Sequence, residues 1–314
     1  MKSERSWWLS DHGSQVKAAF VAVVGRPSAG KSTLVNFICG QKVSIVSKVP
    51  QTTRNAIRGI INRDEGQLVF VDTPGRHISN KKMNMKLMDV SQRALCDADI
   101  ILYVLDTGRP PGDEERELAV LLGPLAANTV IAFNKTDLHQ ADCGRAADFL
   151  ARHLPAVPAE RCFKISAKTG DGLEPLLGAL YAMAPEGDPF YGAEYYTDQE
   201  VDFRIAEIIR EQAIMRLRQE LPHALYVQVA DMEFRDAPGK ESAQKLWVRA
   251  FIVVERESQK GMVVGAGGEM IKSIRQGSQK ELAKIFDWKI ELDLRVKTGK
   301  DWRASDSTLK KIIG

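Results

Sequence analysis

Apolar residues fall into two rhythms over the first 185 positions. Short apolar runs near 18–24, 57–63, 67–72, 99–105, 128–134 and 161–166 alternate with stretches of helical spacing near 31–40, 84–96, 113–123, 144–153 and 172–183. Such alternation predicts an α/β, doubly wound, mostly parallel sheet wrapped by helices. The pattern stops at Ala184-Pro185-Glu186-Gly187-Asp188-Pro189, a Pro/Gly-rich linker. Beyond it, Val201, Ile205, Ile208, Ile209, Ile214 and Leu217 sit close to helical spacing, and Leu221-Pro222 ends the helix. Strands near 224–234 and 245–255, a helix opening near Met270, a second short helix near 278–286 and a last strand from Lys289 to Val296 complete an α-β-β-α-α-β order. The expected organisation is an extension over 1–15, a first domain over 16–185, a linker over 186–198, an α+β domain over 199–303 and a tail over 304–314.

Chemistry enters directly after the first strand. Gly25-Arg26-Pro27-Ser28-Ala29-Gly30-Lys31-Ser32 has the G-x-x-x-x-G-K-[ST] spacing, and it follows the run Ala18–Val24. Glycines at both ends let the backbone curl so that successive N–H groups face phosphate oxygens, and the following helix adds the positive end of its dipole. Lys31 is expected to reach the β- and γ-phosphates, Ser32 to ligate magnesium, and Thr33 to complete the contacts.

Four further segments follow in the order that a P-loop GTPase requires. Leu68-Val69-Phe70-Val71-Asp72-Thr73-Pro74-Gly75 is an apolar strand ending in a carboxylate. Asp72 can hold magnesium through water, and the Gly75 N–H can sense the γ-phosphate; by itself the tetrapeptide also suits an ordinary turn. Asn134-Lys135-Thr136-Asp137 ends another strand and carries the guanine-reading signature. A carboxylate only accepts hydrogen bonds, so Asp137 suits the N1–H and exocyclic amine of guanine, whereas adenine offers no donor there. Ser166-Ala167-Lys168 closes a further strand. Gln51-Thr52-Thr53-Arg54 lies between the loop and Asp72; Thr53 is the expected residue closing on magnesium, with Thr52 second.

In the second domain, Val263-Val264-Gly265-Ala266-Gly267-Gly268 is a G-x-x-G turn feeding a helix that carries Ile271 and Lys272. A turn of that kind lets a nucleic-acid backbone lie close while bases reach an adjacent apolar groove. Charge points weakly the same way. Net charge is +3; residues 1–198 hold 23 basic and 23 acidic side chains, so the whole excess lies in 199–314. Cys39, Cys96, Cys143 and Cys162 lack C-x-x-C spacing, which predicts reduced thiols. No apolar run approaches a membrane span, and residues 1–8 lack the apolar stretch of a signal peptide, so a cytoplasmic protein is expected. Trp7 and Trp8 have no assignment.

A GTPase domain of the translation-factor-like class followed by a type II KH domain resembles the Era family. The resemblance rests on Gly25 to Ser32, Gln51 to Arg54, Asp72 to Gly75, Asn134 to Asp137, Ser166 to Lys168, Val263 to Ile274 and Lys300-Asp301-Trp302-Arg303. It implies GTP hydrolysis with GTP/GDP and magnesium as cofactors, and a contact from the Ala167 N–H to the guanine carbonyl. The implied partners are small-subunit ribosomal RNA near its 3′ end and the small ribosomal subunit, with a peripheral contact at the inner face of the membrane and a monomeric chain. Val264, Gly265, Ala266, Gly267, Gly268, Ile271 and Lys272 are the implied RNA contacts. Three positions depart from related patterns. Arg76 stands where the family carries an apolar residue, and no water-positioning group is identified, so slow intrinsic turnover is expected. Ser28 replaces the asparagine of potassium-using relatives, and Ala266 replaces a basic residue of the KH loop. The alternatives are an RNA chaperone using GTP binding with little hydrolysis, and a GTPase acting on a non-RNA partner.

Overall fold

The computed structural model describes residues 16–47, 49, 52–75, 82–218, 221–236 and 244–313. Trp7, Trp8, Gln51 and Arg76 lie outside the described residues.

The first domain carries β1 (Lys17–Val24), α1 (Lys31–Cys39), β2 (Ile57–Arg63), β3 (Gly66–Asp72), α2 (Lys82–Cys96), β4 (Ile100–Asp106), α3 (Asp113–Leu122), β5 (Thr129–Asn134), α4 (Cys143–His153), β6 (Cys162–Lys164) and α5 (Leu173–Met183). The strands form one sheet in the order β2-β3-β1-β4-β5-β6. β2 runs antiparallel to β3, and the other pairings are parallel. β3, β4 and β5 are buried along their whole length, because helices cover both faces and every side chain in such strands meets a core. Ala19, Val21, Val23, Leu102 and Val104 pack with α1 and α5 on one side. Ala22, Val24, Ile101, Tyr103 and Leu105 pack with α3 and α4 on the other. The two-residue alternation thus divides one sheet between two cores.

The second domain carries α6 (Val201–Arg216), β7 (Leu225–Asp236), β8 (Gln244–Val254), α7 (Glu257–Val264), α8 (Glu269–Leu282) and β9 (Lys289–Thr298). β8 lies between an antiparallel β7 and a parallel β9. Leu246, Val248, Ala250 and Ile252 point from β8 into a core shared with α6, α7 and α8. One expectation needs correction. There is no separate helix near 278–286, because α8 continues through Gly277 to Leu282. A Cβ on Gly277 would lie 2.3 Å from an Arg216 guanidinium nitrogen and 2.5 Å from Gln212 Oε1. That glycine serves helix packing rather than helix termination.

Residues 304–313 hold α9 (Asp306–Ile312), whose Leu309 clusters with Ile313, Trp302 and Leu87 of α2. Lys82 Nζ meets Asp306 Oδ2 at 2.6 Å. The last helix therefore joins the second domain to the helix that follows Gly75. Among the described residues, no helix is long and apolar enough to cross a membrane.

Candidate functional site

The loop between β1 and α1 is built on two unusual backbone positions. Gly30 has φ 99° at the helix entry, and a Cβ there would lie 2.3 Å from Asn134 Nδ2. Ser28 is left-handed at φ 60° although it carries a side chain. The loop forms one wall of a cleft of about 380 Å³, lined by Pro27, Ser28, Gly30, Lys31, Ser32, Thr33, Gly75 and Lys135, and opposite them by Ile45, Val46, Ser47, Val49, Thr52 and Thr53.

Lys31 lies on the floor of this cleft, its Nζ donating to Gly25 O at 2.9 Å and Arg26 O at 3.0 Å. Burial drives its pKa down to about 8, against the opposing pull of the Asp72 and Glu114 charges. Three oxygens converge beside it. Ser32 Oγ donates to Asp72 Oδ2 at 2.6 Å, and Thr53 Oγ1 lies 3.0 Å from Ser32 Oγ and 3.5 Å from Asp72 Oδ2. Burial raises the Asp72 pKa, offset by Lys31 and by the Ser32 and Thr53 hydroxyls. Asp72 Oδ1 is buried without a hydrogen-bond partner. Hard oxygen donors with an unused carboxylate oxygen suit magnesium. No cluster of three or more His, Cys, Asp or Glu exists among the described residues, so a cation here would rest on this trio and on phosphate oxygens.

The Asn134–Asp137 segment is tied to the loop by side chains. Asn134 Nδ2 donates to Ala29 O at 2.8 Å, and Asn134 Oδ1 accepts from Ala167 N at 2.9 Å. Lys135 Nζ donates to Ser28 O at 2.7 Å. Asp137 is exposed, its Oδ1 accepting from Ser166 Oγ at 2.8 Å, and Lys168 is exposed; neither is among the residues lining the cleft. Thr73 turns into the sheet, its Oγ1 donating to Val23 O at 2.8 Å, while Pro74 O accepts from Ser91 Oγ at 2.9 Å. Gly75 passes so close to the loop that a Cβ would lie 2.8 Å from Pro27 Cα. Arg26 departs from its neighbours: its side chain turns away from the cleft into buried Asp106 and Glu115.

The sequence reading did not single out α6 as part of this site. Glu211 Oε1 accepts from Val46 N at 2.9 Å, and Arg210 donates to Thr52 O at 2.6 Å. Arg54 inserts into the second domain, where it donates to Leu225 O at 2.9 Å and lies 5.5 Å from the Trp302 ring centre. A signal for α6 was present in its composition. Arg204, Arg210, Glu211 and Gln212 are all buried in a helix whose other buried positions are Ile and Ala. A helix with that composition needs two partners.

At the far side of the second domain, Gly265, Gly267 and Gly268 all have positive φ, at 75°, 58° and 80°. A Cβ on Gly265 would strike Met270, whereas Gly267 and Gly268 face open space. Val264 and Ile271 are half-buried beside the loop, and Lys272 is exposed.

Residues 20–135 match the family of 50S ribosome-binding GTPases, and residues 220–303 match the KH domain. GTPase Era of Treponema denticola is 49% identical, covering 95% of this chain and 99% of its own length. GTPase Era of Treponema pallidum is 43% identical, covering 96% and 98%. A crystallised variant of Aquifex aeolicus Era bound to GDP·AlF4− superposes with a TM-score of 0.88 at 29% identity, over 95% of this chain and 99% of that one. Era in complex with MgGDPNP and nucleotides 1506–1542 of 16S ribosomal RNA superposes with a TM-score of 0.87 at 29% identity, over 95% and 98%.

Proposed function

The chain belongs to the Era family of GTPases, and from that premise we propose that it is a GTP-hydrolysing switch whose nucleotide state governs how its KH domain holds small-subunit ribosomal RNA near the 3′ end during subunit assembly. The observation that carries this reading is the position of Thr53. Its hydroxyl meets Ser32 and Asp72, while its neighbours Thr52 and Arg54 are bonded to the second domain. A residue that follows the γ-phosphate cannot move without moving those bonds.

On this reading each site residue has a role that the geometry supports. Gly25 to Thr33 cradle the phosphates, with Lys31 as the point charge. Ser32, Thr53 and Asp72 hold magnesium, which neutralises charge on the phosphates when bound. Asn134, Lys135 and Asp137, with Ser166 to Lys168, enclose guanine. Val264 to Gly268, with Ile271 and Lys272, take the RNA backbone. The relative solved with MgGDPNP and 16S ribosomal RNA supports both the cofactors and the partner. A monomeric, cytoplasmic chain with a peripheral membrane contact belongs to the same reading, and vesicle sedimentation tests that last element.

The direct test is RNA affinity of the full chain with GDP and with a non-hydrolysable GTP analogue, using RNA spanning nucleotides 1506–1542 of 16S ribosomal RNA and a scrambled control. The nucleotide should change affinity for the matched RNA by about fivefold or more. Gly268→Asp, which adds a side chain and a negative charge where the loop faces open space, should weaken RNA binding by about tenfold or more and leave GTP binding intact. Equal binding of matched and scrambled RNA would remove the sequence-specific reading.

A further inference from the structure

Beneath Lys135 lie two buried carboxylates, Asp106 and Glu115, that belong to none of the nucleotide motifs. Asp106 ends β4 as Asp72 ends β3, and it is 2% exposed. Its Oδ2 accepts from Lys135 Nζ at 2.8 Å and lies 3.1 Å from an Arg26 terminal nitrogen; its Oδ1 accepts from Gly108 N at 2.9 Å. The other Arg26 terminal nitrogen lies 2.7 Å from Glu115 Oε1, and Glu115 Oε2 accepts from Gly112 N at 2.7 Å. Lys135 therefore has two anchors, Ser28 O above and Asp106 below.

We propose that Asp106 is a positioning residue for guanine recognition, holding Lys135 against the phosphate loop so that the lysine stem forms one wall of the base site. Arg26, backed by Glu115, keeps the Asp106 carboxylate in place from behind. The proposal rests on the guanine-nucleotide reading of the cleft, and GDP binding by the unaltered chain tests that reading separately.

Two features favour positioning over simple core support. First, Ser28 and Lys135 are two of the three left-handed non-glycine residues among those described, at φ 60° and 70°, and they stand at the two ends of one hydrogen bond. Such backbone persists only where the surroundings over-determine it, and it clusters at ligand clamps. Second, the Lys135 side chain is 30% exposed at the cleft, whereas its partner carboxylate is 1% exposed. A lone lysine at a cleft wall is mobile. Pairing with a carboxylate in low dielectric holds its stem in one direction, because the interaction is screened little by solvent. Bonds from Lys135 and Gly108 hold the Asp106 pKa below the usual carboxylate range, despite the opposing effect of burial, so the carboxylate stays charged.

The experiment is a thermodynamic cycle in the full chain, read by calorimetric titration with GDP and GTP. Asp106→Asn should weaken both nucleotides alike, by about tenfold, since the base is common to them and a buried charged bond has lost its charge. In a Lys135→Met background, the same substitution should change affinity by less than about twofold, because the group it acts through is gone. A purely structural Asp106 would lower thermal stability and weaken binding by the same factor in both backgrounds, which would overturn the proposal. So would unchanged GDP affinity in folded Asp106→Asn. Should Asp106→Asn alone fail to fold, the cycle is run in an Arg26→Gln/Glu115→Gln background, where the remaining buried charge has been neutralised in advance. There too, a loss that persists without Lys135 would sink it.

Discussion

The two walls of the nucleotide cleft are held in place by different means. On the guanine side, Asn134 and Lys135 bond to Ala29 and Ser28 of the phosphate loop, and Asn134 also takes the Ala167 N–H. Every one of those bonds lies within the first domain. On the switch side, Val46, Thr52 and Arg54 bond to Glu211, Arg210 and Leu225 of the second domain. The first wall is set by its own fold, whereas the second is shared. A base identical in GTP and GDP can be read by a rigid wall. The γ-phosphate distinguishes the two nucleotides, and on the proposed reading the wall that would meet it is the one the KH domain also grips.

The largest effect should come from damage to the guanine wall. Asp137→Asn puts an amide donor where the carboxylate accepted, so GTP and GDP should both bind about a hundredfold more weakly, with xanthine nucleotides gaining. Because the bonds from Asn134 and Lys135 go to the first domain, the ratio of RNA affinities at saturating GTP analogue and GDP should be preserved. Competition binding with guanine and xanthine nucleotides decides the first point. Unchanged GTP affinity would remove Asp137 from base recognition.

The Asn134–Asp137 segment stood out in the sequence alone, whereas the ties of the opposite wall to the second domain did not. Asn134, Lys135 and Asp137 fall within four consecutive residues at a strand end, so local sequence marks the segment, although its bonds to Ala29 and Ser28 span 105 and 107 positions. Asp106 shared the signal that revealed Asp72, an apolar strand ending in a carboxylate, but no neighbouring motif drew attention to it. The partners of Val46 and Thr52 lie 165 and 158 positions away. No local pattern encodes such pairings; only the unusual polarity of buried α6 hinted at them. The expected separate helix near 278–286 fails for a related reason: Gly277 lies inside α8, against Arg216 and Gln212 of another helix. The mostly parallel, helix-covered sheet, in contrast, was expected from its apolar runs, three of which are buried along their whole length.

Between the two walls stands Lys31, and its titration gives a test of intermediate size. Its pKa, lowered by burial to about 8, rises again when phosphate oxygens surround it. Binding then takes up a proton wherever the free chain has lost one. Nucleotide affinity should therefore be flat below about pH 7 and fall above about pH 8, approaching tenfold per pH unit. For stability the sign is opposite. The charged ammonium is less favourable folded than unfolded, so the nucleotide-free chain carries a cost below pH 8 that is relieved between about pH 8 and the ordinary lysine range. Lys31→Arg, charged throughout, should flatten the affinity profile even if its absolute affinity is poor. A profile for the unaltered chain that stays level to pH 9.5 would contradict the assignment.

The smallest effect, and the sharpest comparison of the walls, concerns Arg210. Its side chain is 2% exposed, clamped by Glu207 at 2.6 and 2.7 Å, and it donates to the carbonyl of Thr52, the residue before Thr53. Arg210→Ala removes a charged donor from the backbone carbonyl of Thr52 and leaves the side chains that line the cleft in place. GDP affinity should remain within about twofold. The factor by which a GTP analogue changes RNA affinity should shrink toward one, a loss of at least about fivefold if the clamp transmits the signal. Arg210→Lys, which keeps the charge but not the fork that grips Glu207 while reaching Thr52, should give an intermediate value. Measuring RNA affinity with each nucleotide for the three chains places the coupling on one bond between domains. An unchanged ratio in folded Arg210→Ala would mean that the switch wall communicates through Arg54 and Trp302 instead, and the two routes separate when Arg54→Ala is measured in the same assay.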